Sequence, residues 1–330
     1  MPIETRAGKK RWEEGYGQGE ASIALDDDVL IDDVALRERL LETFHAAGYQ
    51  PPTLPATATR LLAMSQDPEI NLDDVIAVLE ADQMIAGRVL KIANSAHCAG
   101  AAQIDSLRGA LMRLGMNTLR DLVLEVAMNL RVFRSDAYSA PMERVRIHSQ
   151  ATAHLCRIVS KFTSIDGEYA FLCGLLHDVG VAGVLVALAE GARGHEPPDL
   201  QVLWPAIDGV HAEAGEIMTR LWELPPDVSM VVGAHHRVEI QGFPHPLAAT
   251  VCLADQLATS HGAGLRPSEP SGEDVGMYAE VDSTGPATVE RARSALSISD
   301  ASWGLIEAES DAWLQELGDT SLSAPPHPGS

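Results

Sequence analysis

The feature that most constrains this chain is one apolar run, Phe171-Leu172-Cys173-Gly174-Leu175-Leu176-His177-Asp178-Val179-Gly180-Val181-Ala182-Gly183, with an imidazole and a carboxylate side by side at its middle. The run is long enough for a buried helix, and a bare carboxylate inside it is untenable. Taking an ionised Asp out of water costs several kcal/mol even after relaxation, so the group must be neutral, paired, hydrogen-bonded or bound to a metal. Neighbouring helix positions point about 100° apart, so His177 and Asp178 would reach one cavity without competing for one spot. Such a pair suits a metal site in which the Asp bridges two ions.

The bulk properties narrow the partners. Lys plus Arg number 24 against 47 Asp plus Glu, a net charge of −23 over 330 residues. That field repels phosphate backbones and anionic lipid, so nucleic acid and membrane surfaces are excluded as expected partners, and proteins, metal ions or small ligands remain. No apolar core follows Met1-Pro2-Ile3-Glu4-Thr5-Arg6, and no uninterrupted apolar span of membrane length is evident, so a cytoplasmic protein is expected. Cys98, Cys156, Cys173 and Cys252 are scattered without a Cys-x-x-Cys pair, which points to buried, inert thiols.

Helical periodicity runs through most of the chain. Residues 1–33 are poor in large apolar groups and read as a flexible leader. Leu36, Leu40, Leu41 and Phe44 share one helical face, stopped by Gly48 and Pro51-Pro52. Asn71 and Asp82 are placed to cap the two helices that carry Val75, Ile76, Leu79 and then Ile85, Val89, Leu90. Leu107, Leu111 and Leu114 continue to Gly115, and Asn117 opens a longer helix. No segment alternates as a half-buried strand would, so the fold class is all-α. Past Ser260 a Gly, Pro and Ser-rich stretch reads as a linker. Val289, Ala292, Leu296, Trp303, Ile306 and Trp313 then predict one or two amphipathic helices docked on the body, and a loose tail closes the chain from Thr320.

From about Pro141 each helix carries an ionisable group on its apolar stripe. His148 lies among Val145, Thr152, Leu155 and Val159. His211 lies with Gly215, Met218 and Trp222 on a helix after Pro205. His235-His236 follow Val228, Val231 and Val232, and Asp255 is flanked by Val251, Ala254 and Ala258. His148, His177, Asp178, His211, His235, His236 and Asp255 offer nitrogen and carboxylate oxygen without thiolate. That set suits one or two divalent transition metal ions, zinc, iron or manganese, better than calcium or magnesium. His154, His195, His245 and His261 fall off the stripes and read as surface residues.

His148, the His177-Asp178 doublet and Asp255, in that order, resemble the metal-ligand signature of the HD superfamily of metal-dependent phosphohydrolases, and His211 with His235-His236 resembles the added ligands of its two-metal members. A second resemblance covers more of the chain. Leu54-Pro55, Arg88-Val89-Leu90-Lys91-Ile92-Ala93-Asn94-Ser95, Ala110-Leu111-Met112-Arg113-Leu114-Gly115, Leu175 to Gly180, Leu221-Trp222-Glu223-Leu224-Pro225 and His235-His236 are similar to the HDOD family of bacterial signalling domains. The resemblance implies an HDOD domain over 34–262, with an amino-terminal helical lobe (34–138) and an HD-like helical lobe (139–262), followed by the linker, helices and tail of 263–330. It also implies signal output or regulation, with signalling proteins or a small nucleotide as partners. The chain departs from the HD-GYP hydrolases. Val181 stands where they carry a Lys after the His-Asp-x-Gly turn, Arg237 where an acidic residue follows the His pair, and Gly242-Phe243-Pro244 where they have Gly-Tyr-Pro. Two functions of different classes follow: a regulatory binding module that keeps the ligand set without dedicated catalytic residues, and a metal-dependent phosphohydrolase in which Asp178 and a metal-activated water would do the chemistry.

Overall fold

A helix whose buried face is set by Leu36, Leu40 and Phe44 opens the structure as α1 (Asp33–His45). The computed structural model describes residues 33–54, 56–64, 71–94, 104, 106–132, 134–192, 199–265 and 285–321. The predicted leader, but for Asp33, most of the predicted linker and the tail beyond Ser321 lie outside them. Four helices form the amino-terminal lobe: α2 (Ala56–Met64), α3 (Leu72–Glu80), α4 (Gln83–Ala93) and α5 (Leu107–Arg131). The predicted caps are in place. Asn71 accepts from the Asp73 amide at 3.0 Å, and Asp82 from the Met84 and Ile85 amides at 3.1 and 3.2 Å. Asn94 ends α4 by clamping Ile104 through both of its backbone groups, each at 2.7 Å. Gly115, at φ +78° and ψ 167°, leaves helical geometry, so α5 is two helices meeting at a kink there, as the sequence reading expects.

The second lobe is built from α6 (Ser139–Ser160), α7 (Gly167–Leu176), α8 (Val179–Gly191), α9 (Leu200–Leu221), α10 (Pro226–Gly233) and α11 (Pro246–Ala258). Its helices pack α7 and α11 on α6, and α8 and α10 on α9, while α1 also lies on α9. The fold is all-α and two-lobed as expected. The one strand pair among the described residues is a two-residue hairpin, β1 (Glu239–Ile240) with β2 (Phe243–Pro244). Its turn residues Gln241 and Gly242 both have positive φ, the geometry of a tight hairpin turn. A π-helical turn, Thr259–Ala263, ends α11. Then α12 (Pro286–Ala295) packs on α11 and α13 (Asp300–Ser321) on α6, with Ala292 and Ile306 fully buried.

Three expectations need correction. The apolar run is not one helix: α7 stops at Leu176, Asp178 leaves helical geometry at φ −103°, ψ 18°, and α8 starts at Val179. Two close backbone approaches flank the break and tie the halves to different neighbours. A Cβ on Gly174 would meet the Ala153 Cα of α6 at 2.8 Å, and one on Gly180 would meet the His211 carbonyl oxygen of α9 at 1.9 Å. Second, Gly167–Gly191 does have the length and composition of a membrane-crossing helix, yet 89% of its most apolar window is buried inside the protein. Third, α9 begins at Leu200, before Pro205, capped by Asp199 through the Gln201 amide at 3.0 Å. Pro205 then costs only the partner of a carbonyl in the exposed first turn, and its own carbonyl accepts from Arg37 at 2.9 Å.

Polar contacts join the lobes. On α5, Asp121 pairs with Arg157 of α6, and Arg120 bonds Asp121 at 3.1 Å and Glu168 of α7. One turn on, Glu125 accepts from Gln150 at 3.0 Å and contacts His154 at 2.9 Å. Burial pushes the Asp121 carboxyl up, and the two guanidinium groups oppose that shift. Gly180→Ala should lower the unfolding free energy by roughly 2 kcal/mol or more, as overpacking at a rigid backbone contact does. Urea denaturation checks this, and an unchanged midpoint would contradict the α8–α9 contact.

Candidate metal centre

The histidine-bearing helices are mutual neighbours, so their stripes empty into one volume, and all seven predicted residues meet there. His148 comes from α6, His177-Asp178 from the α7–α8 break, His211 from α9, His235-His236 from the turn after α10 and Asp255 from α11. The cluster divides in two: His148, His177 and Asp178 form one group, and His211, His235 and His236 the other. Asp178 serves both. Its Oδ2 lies 3.2 Å from His148 Nε2 and 3.1 Å from His177 Nε2. Its Oδ1 lies 3.4 Å from His211 Nε2 and 3.3 Å from His235 Nε2. Asp255 adds an oxygen 3.2 Å from His148 Nε2 and another 3.9 Å from His236 Nδ1.

Backbone carbonyls fix the tautomers. His177 Nδ1 donates to Gly174 O at 2.8 Å, His211 Nδ1 to Asp208 O at 2.8 Å and His235 Nδ1 to Val232 O at 2.6 Å, each three residues back. His148 Nδ1 donates to Ala263 O at 2.8 Å, across the fold. With the proton held on Nδ1, each Nε2 presents a lone pair to the centre. Two such pairs face each other at 3.1 Å between His148 and His177, and at 3.3 Å between His211 and His235. Facing lone pairs repel unless a metal cation or a proton lies between them. Metal–ligand bonds of about 2.0–2.2 Å put neighbouring ligand atoms about 3.0–3.4 Å apart, so these spacings are those of coordination-polyhedron edges. The residues present fit a metal ion: each of the two groups could hold one, and Asp178 reaches both. Asp178 Oδ1 and His236 Nδ1 are buried with no hydrogen-bond partner, as atoms kept for a cation would be.

Without an ion, a proton on His148 takes the cation's place. Burial opposes charge on every group here. For His148 the carboxylates of Asp178 and Asp255 outweigh burial and raise it to about 10. Burial likewise raises the carboxyls, but the surrounding imidazoles hold Asp178 well below the usual carboxylate range and Asp255 at about 2. Burial lowers His235, and it lowers His236 with help from His235 and His211.

A cavity of about 460 Å³ opens beside the cluster, lined by His148, Asp178, His211, His236 and Asp255 together with Arg144, Val181, Trp204 and Thr259. No residue of the Ile240–Pro244 hairpin lines it, so Gly242-Phe243-Pro244 plays no part in the cavity wall. The sequence reading missed Arg144, Trp204 and the Ala263 carbonyl. Arg144 stood on the His148 stripe, one turn earlier, whereas the carbonyl had no sequence signal. His154 is not a free surface residue, since it stacks on Trp313 at 4.5 Å. His245 instead caps α11, accepting from the Ala248 amide at 3.2 Å, and His261 meets Asp311 of α13 at 2.5 Å. His195 lies outside the described residues.

Such a two-lobed helical body with a histidine-aspartate centre defines a class, and comparison with known proteins specifies it. Residues 52–238 match the HDOD domain. The chain belongs to the HDOD family. It is similar to an uncharacterized protein of Treponema pallidum, 28% identical over 223 residues, or 62% of this chain and 41% of that protein. It is also similar to ribonuclease Y of Aquifex aeolicus, 27% identical over 124 residues, 38% of this chain and 18% of that enzyme. The chain thus spans less than half the length of these relatives. Among solved structures it resembles an HDOD domain protein of unknown function from Geobacter sulfurreducens (TM-score 0.61, 24% identity, covering 86% of this chain and 96% of that one). It also resembles a candidate metal-dependent phosphohydrolase from Shewanella amazonensis SB2B (TM-score 0.58, 20% identity, 84% and 99%). At these identities the likeness is one of fold.

Two outcomes are expected. Asp178→Ala should lower bound metal and melting temperature together, read by elemental analysis and calorimetry, and no change in either would contradict the bridge. In metal-stripped protein the raised His148 contributes stability that is complete below its unfolded pKa of about 6.5 and is lost as pH climbs towards about 10. Unfolding free energy of the stripped form should therefore decline across that window. Metal loading should abolish the decline, and a flat stripped profile would contradict the His148 environment.

Proposed function

We propose that this chain is a regulatory HDOD protein whose HD-like lobe holds one or two divalent transition metal ions, iron, manganese or zinc, and presents them to a small ligand. In this reading the amino-terminal lobe engages signalling proteins in the cytoplasm. The observation that carries it is Asp178, with one oxygen against each histidine group. The Asp121–Arg157 and Glu125–His154 contacts support a mechanical link between the ligand-bearing α6 and the amino-terminal α5.

A second reading, metal-dependent phosphohydrolase, is favoured by the cavity that reaches the cluster. Ions bound there would supply Lewis acidity and a water of lowered pKa. The chain's own residues would hold the centre rigid through Nδ1 contacts, neutralise it with Asp178 and Asp255, and exclude water along Val181 and Ile207. Metal quantification on the purified chain, coupled to a screen of nucleotide and phosphoester turnover, separates the readings. Bound metal without turnover is the expected result. Turnover abolished by Asp178→Ala would establish the hydrolase instead, and absence of metal after gentle purification would sink both.

A further inference from the structure

The cavity holds one feature that the metal centre does not use. Arg144 lies four residues before His148 on α6, so the two side chains share one helix face. It is exposed, lines the cavity, and makes no ion pair or hydrogen bond among the described residues. In a chain of net charge −23, with Asp178, Asp208 and Asp255 on the same wall, a cation without a paired carboxylate is out of keeping with its surroundings unless an anion completes it. Trp204 of α9 lines the same space, and its indole N–H is buried without a partner. Val181, Ile207 and Leu265 supply apolar wall. A guanidinium, an indole and an apolar surface beside a histidine-aspartate cluster able to hold a metal ion form the chemistry that recognises a phosphate carrying a flat ring.

We propose that Arg144 and Trp204 form a ligand subsite for a mononucleotide-sized phosphomonoester, Arg144 receiving the phosphate and Trp204 the ring. The cavity volume of about 460 Å³ falls within the range of small-molecule sites. The subsite rests on the ligand-binding reading above, yet Arg144 makes no hydrogen bond or ion pair with any of the seven clustered residues, so the two can be tested apart.

The test is calorimetric titration of the full chain with inorganic phosphate and with AMP, metal content being measured on each sample. Arg144→Ala and Arg144→Gln should each weaken both probes about tenfold or more, the usual worth of a charge-assisted contact, with bound metal unchanged. Trp204→Leu should weaken AMP and leave phosphate unchanged. Parent-like phosphate affinity in both Arg144 variants would overturn the proposal, as would failure of metal-loaded protein to bind either probe. If the chain holds no metal, the reading of the previous section fails. The same titration on the protein as isolated still decides the subsite, since Arg144-dependent binding supports it and none overturns it.

Discussion

The structure depends on one buried carboxylate. Asp178 is 4% exposed, and its two oxygens lie within 3.4 Å of four imidazole nitrogens from four different parts of the chain. An ion in that position is tolerable only with positive charge around it. The helix break at the doublet, the glycine contacts of Gly174 and Gly180 and the crossing of α6, α8 and α9 all serve to bring imidazoles to it. Were Asp178 replaced by an apolar group, the lone pairs of His211 and His235 would face each other with no carboxylate to hold a cation between them, and His148 would keep Asp255 alone.

The outer contacts decide how firmly the centre is held. Three of the four oriented imidazoles take their carbonyl from their own local segment, and such partners fix both tautomer and ring direction. His148 alone depends on a remote segment, the Ala263 carbonyl of the π-helical turn. That turn is tied through His261 to Asp311 of α13, whose Trp313 stacks on His154 of α6. The carboxy-terminal helices therefore brace the very helix that carries His148, and they lie beyond the residues that match the family. On the same stretch of α6, α5 takes hold through Asp121 on Arg157 and Glu125 on His154.

Much of this was legible in the sequence because burial and helical period are local signals. His148, His211 and Asp255 could be placed inside apolar stripes by counting residues, and Asn71 and Asp82 announced their caps. What escaped depends on distant partners. The break at His177-Asp178 is flanked by close approaches to Ala153 and the His211 carbonyl, which no count along the run reveals. The Ala263 carbonyl is backbone and has no residue type to betray it. Arg144 stands one turn before His148 in the sequence, yet only the cavity shows what it faces.

The most direct test is anomalous diffraction from a crystal of the metal-loaded protein at the absorption edge of the bound ion. Two peaks, one beside each oxygen of Asp178 and each touching its own histidine group, are the predicted result. A map with no peak between the facing imidazoles, or with its only metal away from Asp178, would contradict the account.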